Sequence, residues 1–221
     1  PSLALLMIGI LLLVLQRWFF ETQFLDIFIS LLVFLTTCVI LVQYEKGENE
    51  SAVNLAVNLA GLFVVGWVGS FFIPLRALPD GLGWTLTALP SVWLADAGAY
   101  TIGRRLGKHK LAPRLSPGKT WEGLMGGIAA GTLSGFLLIA LWRLVGFLPD
   151  TTPLWHGAVI GLVLSILTPV GDLVISLFKR TAGVKDTSNL IPGHGGILDR
   201  IDTWIWGALL GYYLVQFFKS L

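Results

Sequence analysis

Charge and cysteine are what this sequence has least of. Asp, Glu, Lys and Arg together make up 13% of its 221 residues, against 55% hydrophobic residues, and that balance excludes an ordinary water-soluble domain. Cys38 is the single cysteine and lies inside an apolar run, so no intrachain disulfide can form, and packing is its simplest role. No long linker, low-complexity tail or soluble domain interrupts the chain, and no convincing internal repeat supports a transporter built from duplicated halves. No nucleic-acid partner is expected.

What remains is a series of apolar runs. Stretches near 3–16, 24–42, 53–73, 82–100, 123–148, 156–178 and 203–218 are close to the roughly 20 residues that cross a hydrocarbon core of about 30 Å. The reading is an all-α polytopic membrane bundle of about seven transmembrane helices, with residues 1–221 as one integral membrane domain. The first run starts at Pro1 without an initiator Met and ends in Arg17-Trp18-Phe19-Phe20. It has no small-residue cleavage site and so reads as a clipped first helix rather than a signal peptide. Residues 104–119 carry six Lys or Arg and residues 179–200 four more, while the loop near 149–154 has none. Two spans separate the basic stretches, which places both on one side, and the positive-inside rule makes that side cytoplasmic. Gly123, Gly127, Gly131 and Gly135 recur every fourth residue, a small-residue seam that packs a helix, within the chain in the favoured reading and otherwise against a second subunit. Trp18, Trp84, Trp121, Trp155 and Trp204 fall near span ends as interfacial anchors.

The chemistry concentrates in two stretches, 96–123 and 172–202. Asp172 lies inside a span, where a carboxylate must face protein, water or a cation. Offsets of four and seven put Ser176 and Lys179 on its helical face, as a polar stripe or, more plainly, an Asp172–Lys179 salt bridge. Asp199 and Asp202, three apart, share a face at the same level. If the helices pack together, Asp172, Asp199 and Asp202 converge, and oxygen-rich clusters of this kind suit Mg²⁺; capping of the last helix is the plainer role for Asp199 or Asp202. Lys179, Arg180, Lys185 and Arg200 surround the acids, with Pro192-Gly193-His194-Gly195-Gly196 between them. Glycines there let backbone N–H groups approach an anion, and His194 is placed to touch a phosphate or to stabilise its own turn. Ser116-Pro117-Gly118-Lys119-Thr120 invites a phosphate-loop reading that fails, because position 113 is Pro and no strand is expected ahead of it. Lys119 with two hydroxyls at a helix start still makes an anion site. For Asp96, a structural pairing with a loop arginine such as Arg104 is favoured over catalysis.

These residues form a recognisable pattern. Ser176, Lys179-Arg180, Lys185-Asp186, Pro192, His194-Gly195-Gly196, Asp199-Arg200 and Asp202 resemble the signature of phosphatidate cytidylyltransferases. The upstream run Asp96, Tyr100, Gly103-Arg104, Gly107-Lys108, Ser116-Pro117, Lys119-Thr120 and Glu122-Gly123 is similar to that family as well, and the resemblance covers essentially the whole chain. Members of that family usually carry about two further N-terminal spans. The resemblance implies transfer of a cytidylyl group from CTP to phosphatidate, giving CDP-diacylglycerol and pyrophosphate. It implies Mg²⁺, with a monovalent cation such as K⁺ as a candidate for a second site, and a bacterial inner membrane with the catalytic region facing the cytoplasm. Bilayer lipids and a homodimer are the other partners to consider. Asp172, Asp199 and Asp202 become the metal set, with Ser176 and Lys179 completing the catalytic shell. Lys119, Arg180, Lys185 and Arg200 are assigned to phosphates, and Ser116, Thr120, Asp186 and His194 rank behind them, as does Asp96.

Two rivals remain at this level. A CTP-dependent nucleotidyltransferase acting on another lipid phosphate would need the same residues, and a cation transporter would spread its carboxylates through the bilayer depth. A CDP-alcohol phosphotransferase needs an Asp-Gly-x-x-Ala-Arg pattern that this chain lacks.

Overall fold

Apolar runs of this length become helices because only a helix satisfies every backbone group within one segment crossing lipid. The structure is a computed structural model describing residues 3–47, 50–181, 183–184, 186–188 and 196–221. Seven helices occupy the described residues: α1 (Leu3–Phe20), α2 (Leu25–Glu45), α3 (Ser51–Ala77), α4 (Gly81–Leu106), α5 (Trp121–Val145), α6 (Leu154–Thr181) and α7 (Leu198–Lys219). The class is all-α and polytopic. Five of them, α1, α2, α3, α5 and α6, are long and apolar enough to cross a membrane. In α4 and α7 that character is diluted by Asp96, Arg104 and Arg105 in the one and Asp199, Arg200 and Asp202 in the other.

The chain divides into two compact units, residues 1–74 and 75–221. In the first, glycines set the helix spacing: Gly9 of α1 receives the Leu62 side chain, while Gly61 and Gly66 of α3 receive Leu6 and Leu13. The guanidinium of Arg17, a buried residue, lies 4.5 Å over the Phe71 ring, a cation–π contact that suits a charge in apolar surroundings. Along α3 the winding widens to π over Leu62–Val68 and tightens to 3₁₀ over Gly69–Phe71 before the α-helix resumes.

In the second unit α5 lies between α4 and α6, and the glycine repeat is the reason. A Cβ on Gly123 or Gly127 would press on the backbone of Ala99 or Ala95 in α4. Farther along, Gly131 and Gly135 meet the backbones of Gly161 and Gly157 in α6. The seam therefore packs within the chain, through both its ends. Gly146, with φ of 83°, stops α5 at Val145, earlier than the apolar run suggests, since only glycine enters that left-handed region cheaply.

The main departure from expectation is a two-stranded antiparallel hairpin between α4 and α5, β1 (Lys110–Ala112) with β2 (Ser116–Thr120), with an irregularity between Lys110 and Ala112. Strands this short and polar leave no alternating pattern to read.

Replacing Gly135 by Val should cost about 3 kcal/mol or more, because the obstruction is backbone rather than a yielding side chain. Gly69→Ala, where a Cβ meets nothing within 4 Å, should leave stability within about 1 kcal/mol of the parent. Thermal unfolding in detergent compares the two, and equal midpoints would mean that the seam is not closed.

Candidate active site

The hairpin is tied down at both ends. Thr120, buried, is the N-cap of α5, its Oγ1 accepting from the Gly123 N–H at 3.1 Å. Gly103 and Gly107 of the α4 end crowd against the same side chain. Glu122, in the first turn of α5, accepts from the backbone N–H of Lys108 at 3.1 Å and of His109 at 3.2 Å, and its Oε1 lies 2.6 Å from His109 Nδ1. The loop leaving α4 and the strand entering α5 thus share one anchor. Arg104 donates to the Tyr100 hydroxyl at 3.2 Å rather than pairing with Asp96.

So anchored, the hairpin delivers Lys119 to α6, where its Nζ lies 2.6 Å from Asp172 Oδ2 and 3.4 Å from the Pro169 carbonyl. Ser176 Oγ donates to Asp172 Oδ1 at 3.4 Å, as the shared helical face predicts. The simple bridge from Asp172 to Lys179 does not form. Lys179 Nζ instead lies 2.7 Å from Asp199 Oδ1 at the start of α7.

Asp199 also accepts from the Thr187 N–H at 2.8 Å, the Thr187 hydroxyl at 2.8 Å and the Gly196 N–H at 2.9 Å. It precedes the apolar stretch 203–218. Burial opposes its charge, but the lysine and the three other donors outweigh that and hold its carboxyl well below the usual carboxylate range.

Asp202, one turn on and buried, accepts from the Thr203 N–H at 2.8 Å and has the Asp172 carboxyl as its neighbouring charge. Asp96 joins from α4, with Lys119 and Asp172 as its charged neighbours. Two contacts set these distances. The Trp206 indole lies over Gly171 so closely that a Cβ there would collide with it, and Trp93 of α4 meets Trp204 of α7 with ring centroids 4.2 Å apart.

The expected trio therefore arrives as a pair and a single: Asp172 faces Asp202, while Asp199 is engaged by Lys179. Among the described residues, no three His, Cys, Asp or Glu side chains form a ready metal cage. Like charges as close as Asp172 and Asp202 require compensating positive charge, of which Lys119 supplies part. Beside the pair, a cavity of about 720 Å³ is lined by Asp96, Tyr100, Arg104, Lys110, Ser116, Lys119 and Thr120, with glycines at 103, 107, 118 and 123. Ser116, Lys119 and Thr120 thus belong to one site with Asp96. Arg180 lines a different cavity, Asp186 and Arg200 are exposed, and Lys185 and His194 lie outside the described residues. Sequence reasoning did not select Thr203, Lys110 or Tyr100 for the site. Thr203 had one available signal, its place directly after a buried acid.

The arrangement can hold a polyanion against cationic side chains while two facing acids offer oxygen ligands to a hard cation. Comparison with known proteins bears on that chemistry. The chain is 37% identical over 191 residues to a phosphatidate cytidylyltransferase of Synechocystis, covering 73% of this chain and 62% of the relative. It is 40% identical over 164 residues to one of Bacillus subtilis, covering 74% and 58%, and 39% over 159 residues to one of Mycobacterium leprae, covering 71% and 49%. The chain spans between about half and just under two thirds of the length of these relatives. The model of the cytidylyltransferase family matches residues 1–218, a stretch that holds the hairpin, the facing acids and the cavity alike, and the chain belongs to that family.

Proposed function

We propose that this chain forms the catalytic part of an enzyme that transfers a cytidylyl group from CTP to phosphatidate, with Mg²⁺, at the cytoplasmic face of a bacterial inner membrane. The observation that carries the reading is the junction of Lys119, Asp172 and Asp202 at the edge of a cavity bearing Arg104 and Lys110. Support also comes from the names borne by the relatives.

In the reaction, an oxygen of the phosphatidate phosphate bonds to the α-phosphorus of CTP. The bond from that phosphorus to the bridging oxygen breaks, and pyrophosphate leaves. The second pKa of a phosphate monoester is about 6, so the nucleophile is largely a dianion at neutral pH and needs no strong general base. The demand on the protein is electrostatic: to hold two anions in line and offset the charge gathering on the leaving group.

In the proposal Arg104, Lys110 and Lys119 hold the triphosphate, and Gly118, with open space where a side chain would stand, leaves the wall open to backbone approach. Asp172 and Asp202 are the carboxylates that would hold Mg²⁺, with the Ser176 hydroxyl beside them; the facing acids, on different helices and short of positive charge, fit a hard dication. When bound there, Mg²⁺ supplies Lewis-acid neutralisation of phosphate charge. Asp199 acts one step removed, holding Lys179 next to the pair. Clustering of Arg104, Lys110 and Lys119 around one cavity, with Asp172 held at its edge by Lys119, favours a polyanionic substrate over an ion path.

Asp202→Asn should reduce incorporation of radiolabelled CTP into lipid by about 100-fold or more while the protein stays folded. Activity at half the parent rate or better would remove Asp202 from the metal set. Lys119→Met should lose a similar factor and Lys119→Arg somewhat less, because charge survives but the fit to Asp172 does not. Chelation with EDTA should stop turnover, and added Mg²⁺ should restore it; label incorporation that persists in EDTA would separate the reaction from any divalent ion.

A further inference from the structure

The hairpin has a second side. Ala112 at the end of β1 and the turn residues Pro113, Arg114 and Leu115 face Leu177, Arg180 and Thr181 at the end of α6 across a cavity of about 610 Å³. No residue of this lining belongs to the cavity beside Lys119. Arg114 and Arg180 bring two guanidinium groups to it, and among the described residues neither forms an ion pair with a carboxylate. The Thr181 hydroxyl already donates to the Leu177 carbonyl at 3.0 Å, which leaves the arginines as the side-chain donors. Complementing the carbonyl end of α6 accounts for Arg180. It does not account for Arg114 opposite.

The rest of the lining is apolar, and it lies where a helix able to cross the bilayer ends: Leu177 is 49% exposed and its neighbour Phe178 43%. Two fixed positive charges over an apolar wall at a membrane boundary match one kind of ligand, a phosphate group carrying acyl chains. Guanidinium binds phosphate through paired N–H donors, and basic side chains at a membrane surface collect anionic lipid. We propose that this cavity is a headgroup site for an anionic phospholipid, separated by the hairpin from the cavity in which cytidylyl transfer is placed.

Native mass spectrometry of the full chain released from phosphatidylcholine nanodiscs containing phosphatidylglycerol tests the site. The parent should retain phosphatidylglycerol in preference to phosphatidylcholine, and Arg114→Gln with Arg180→Gln should lower that retention roughly tenfold. Arg114→Gln alone, an exposed turn position, should lower it severalfold, and this decides the matter if the double variant fails to fold. Equal retention by parent and Arg114→Gln would overturn the site. Displacement of the lipid by inorganic phosphate would overturn it too, by revealing a site for soluble anions. Phosphatidylglycerol is not the proposed substrate, so Asp202→Asn should retain it at the parent level even with turnover lost. Its loss in Asp202→Asn would assign the lipid to the catalytic cavity and overturn the separate site.

Discussion

The contact between Lys119 and Asp172 is the constraint around which the second unit is arranged. A carboxylate inside a membrane helix is tolerated only with a partner, and the partner here comes not from its own helix but from a hairpin 53 residues earlier in the chain. The 2.6 Å approach requires the hairpin to reach α6, which in turn requires α5 to begin beside α6 and α4 to end beside α5. A half-buried ion pair of this kind returns little net stability, but losing one partner leaves the other without compensation beside an apolar layer. The pair therefore selects an arrangement more than it strengthens one.

Glycine makes that arrangement reachable. A helix packed through ordinary side chains keeps its axis 8–10 Å from a neighbour, as a rule of thumb. At Gly131 and Gly135 the backbones themselves meet α6, and the side chains that flank the seam gain contact on both sides. Close approach also keeps the start of α5 from drifting, so Thr120 and Glu122 can secure the loop with short, local hydrogen bonds. Rigid packing in the apolar layer thus becomes precise placement at the polar edge.

Hydropathy and length suffice to read α1, α2, α3, α5 and α6 as spans, whereas the expected spans 82–100 and 203–218 form helices that fall short of that measure; Gly146 explains why α5 ends before its apolar run does. Asp172 and Ser176 were legible as neighbours because helical periodicity relates residues four apart. Helical spacing puts Lys179 on the face of Asp172 and leaves a bridge between them as the plainer alternative; that Lys179 pairs with Asp199 instead is decided only by the packing of α7 on α6. Lys119 was recognised as a cation for phosphate, yet its tie to Asp172 is a long-range contact that no local spacing encodes. The hairpin left no trace for a similar reason: it is held by Thr120 at the end of β2 and by Glu122 beyond it, rather than by a buried face along its strands.

One detail of the α6–α7 contact reaches further. Where Gly171 admits the Trp206 indole, a flat ring seats directly on the backbone beside Asp172, so α6 and α7 meet there through a rigid plane rather than through flexible side chains. Spacing at the polar end of the two helices is thereby governed by an apolar contact one residue away from Asp172.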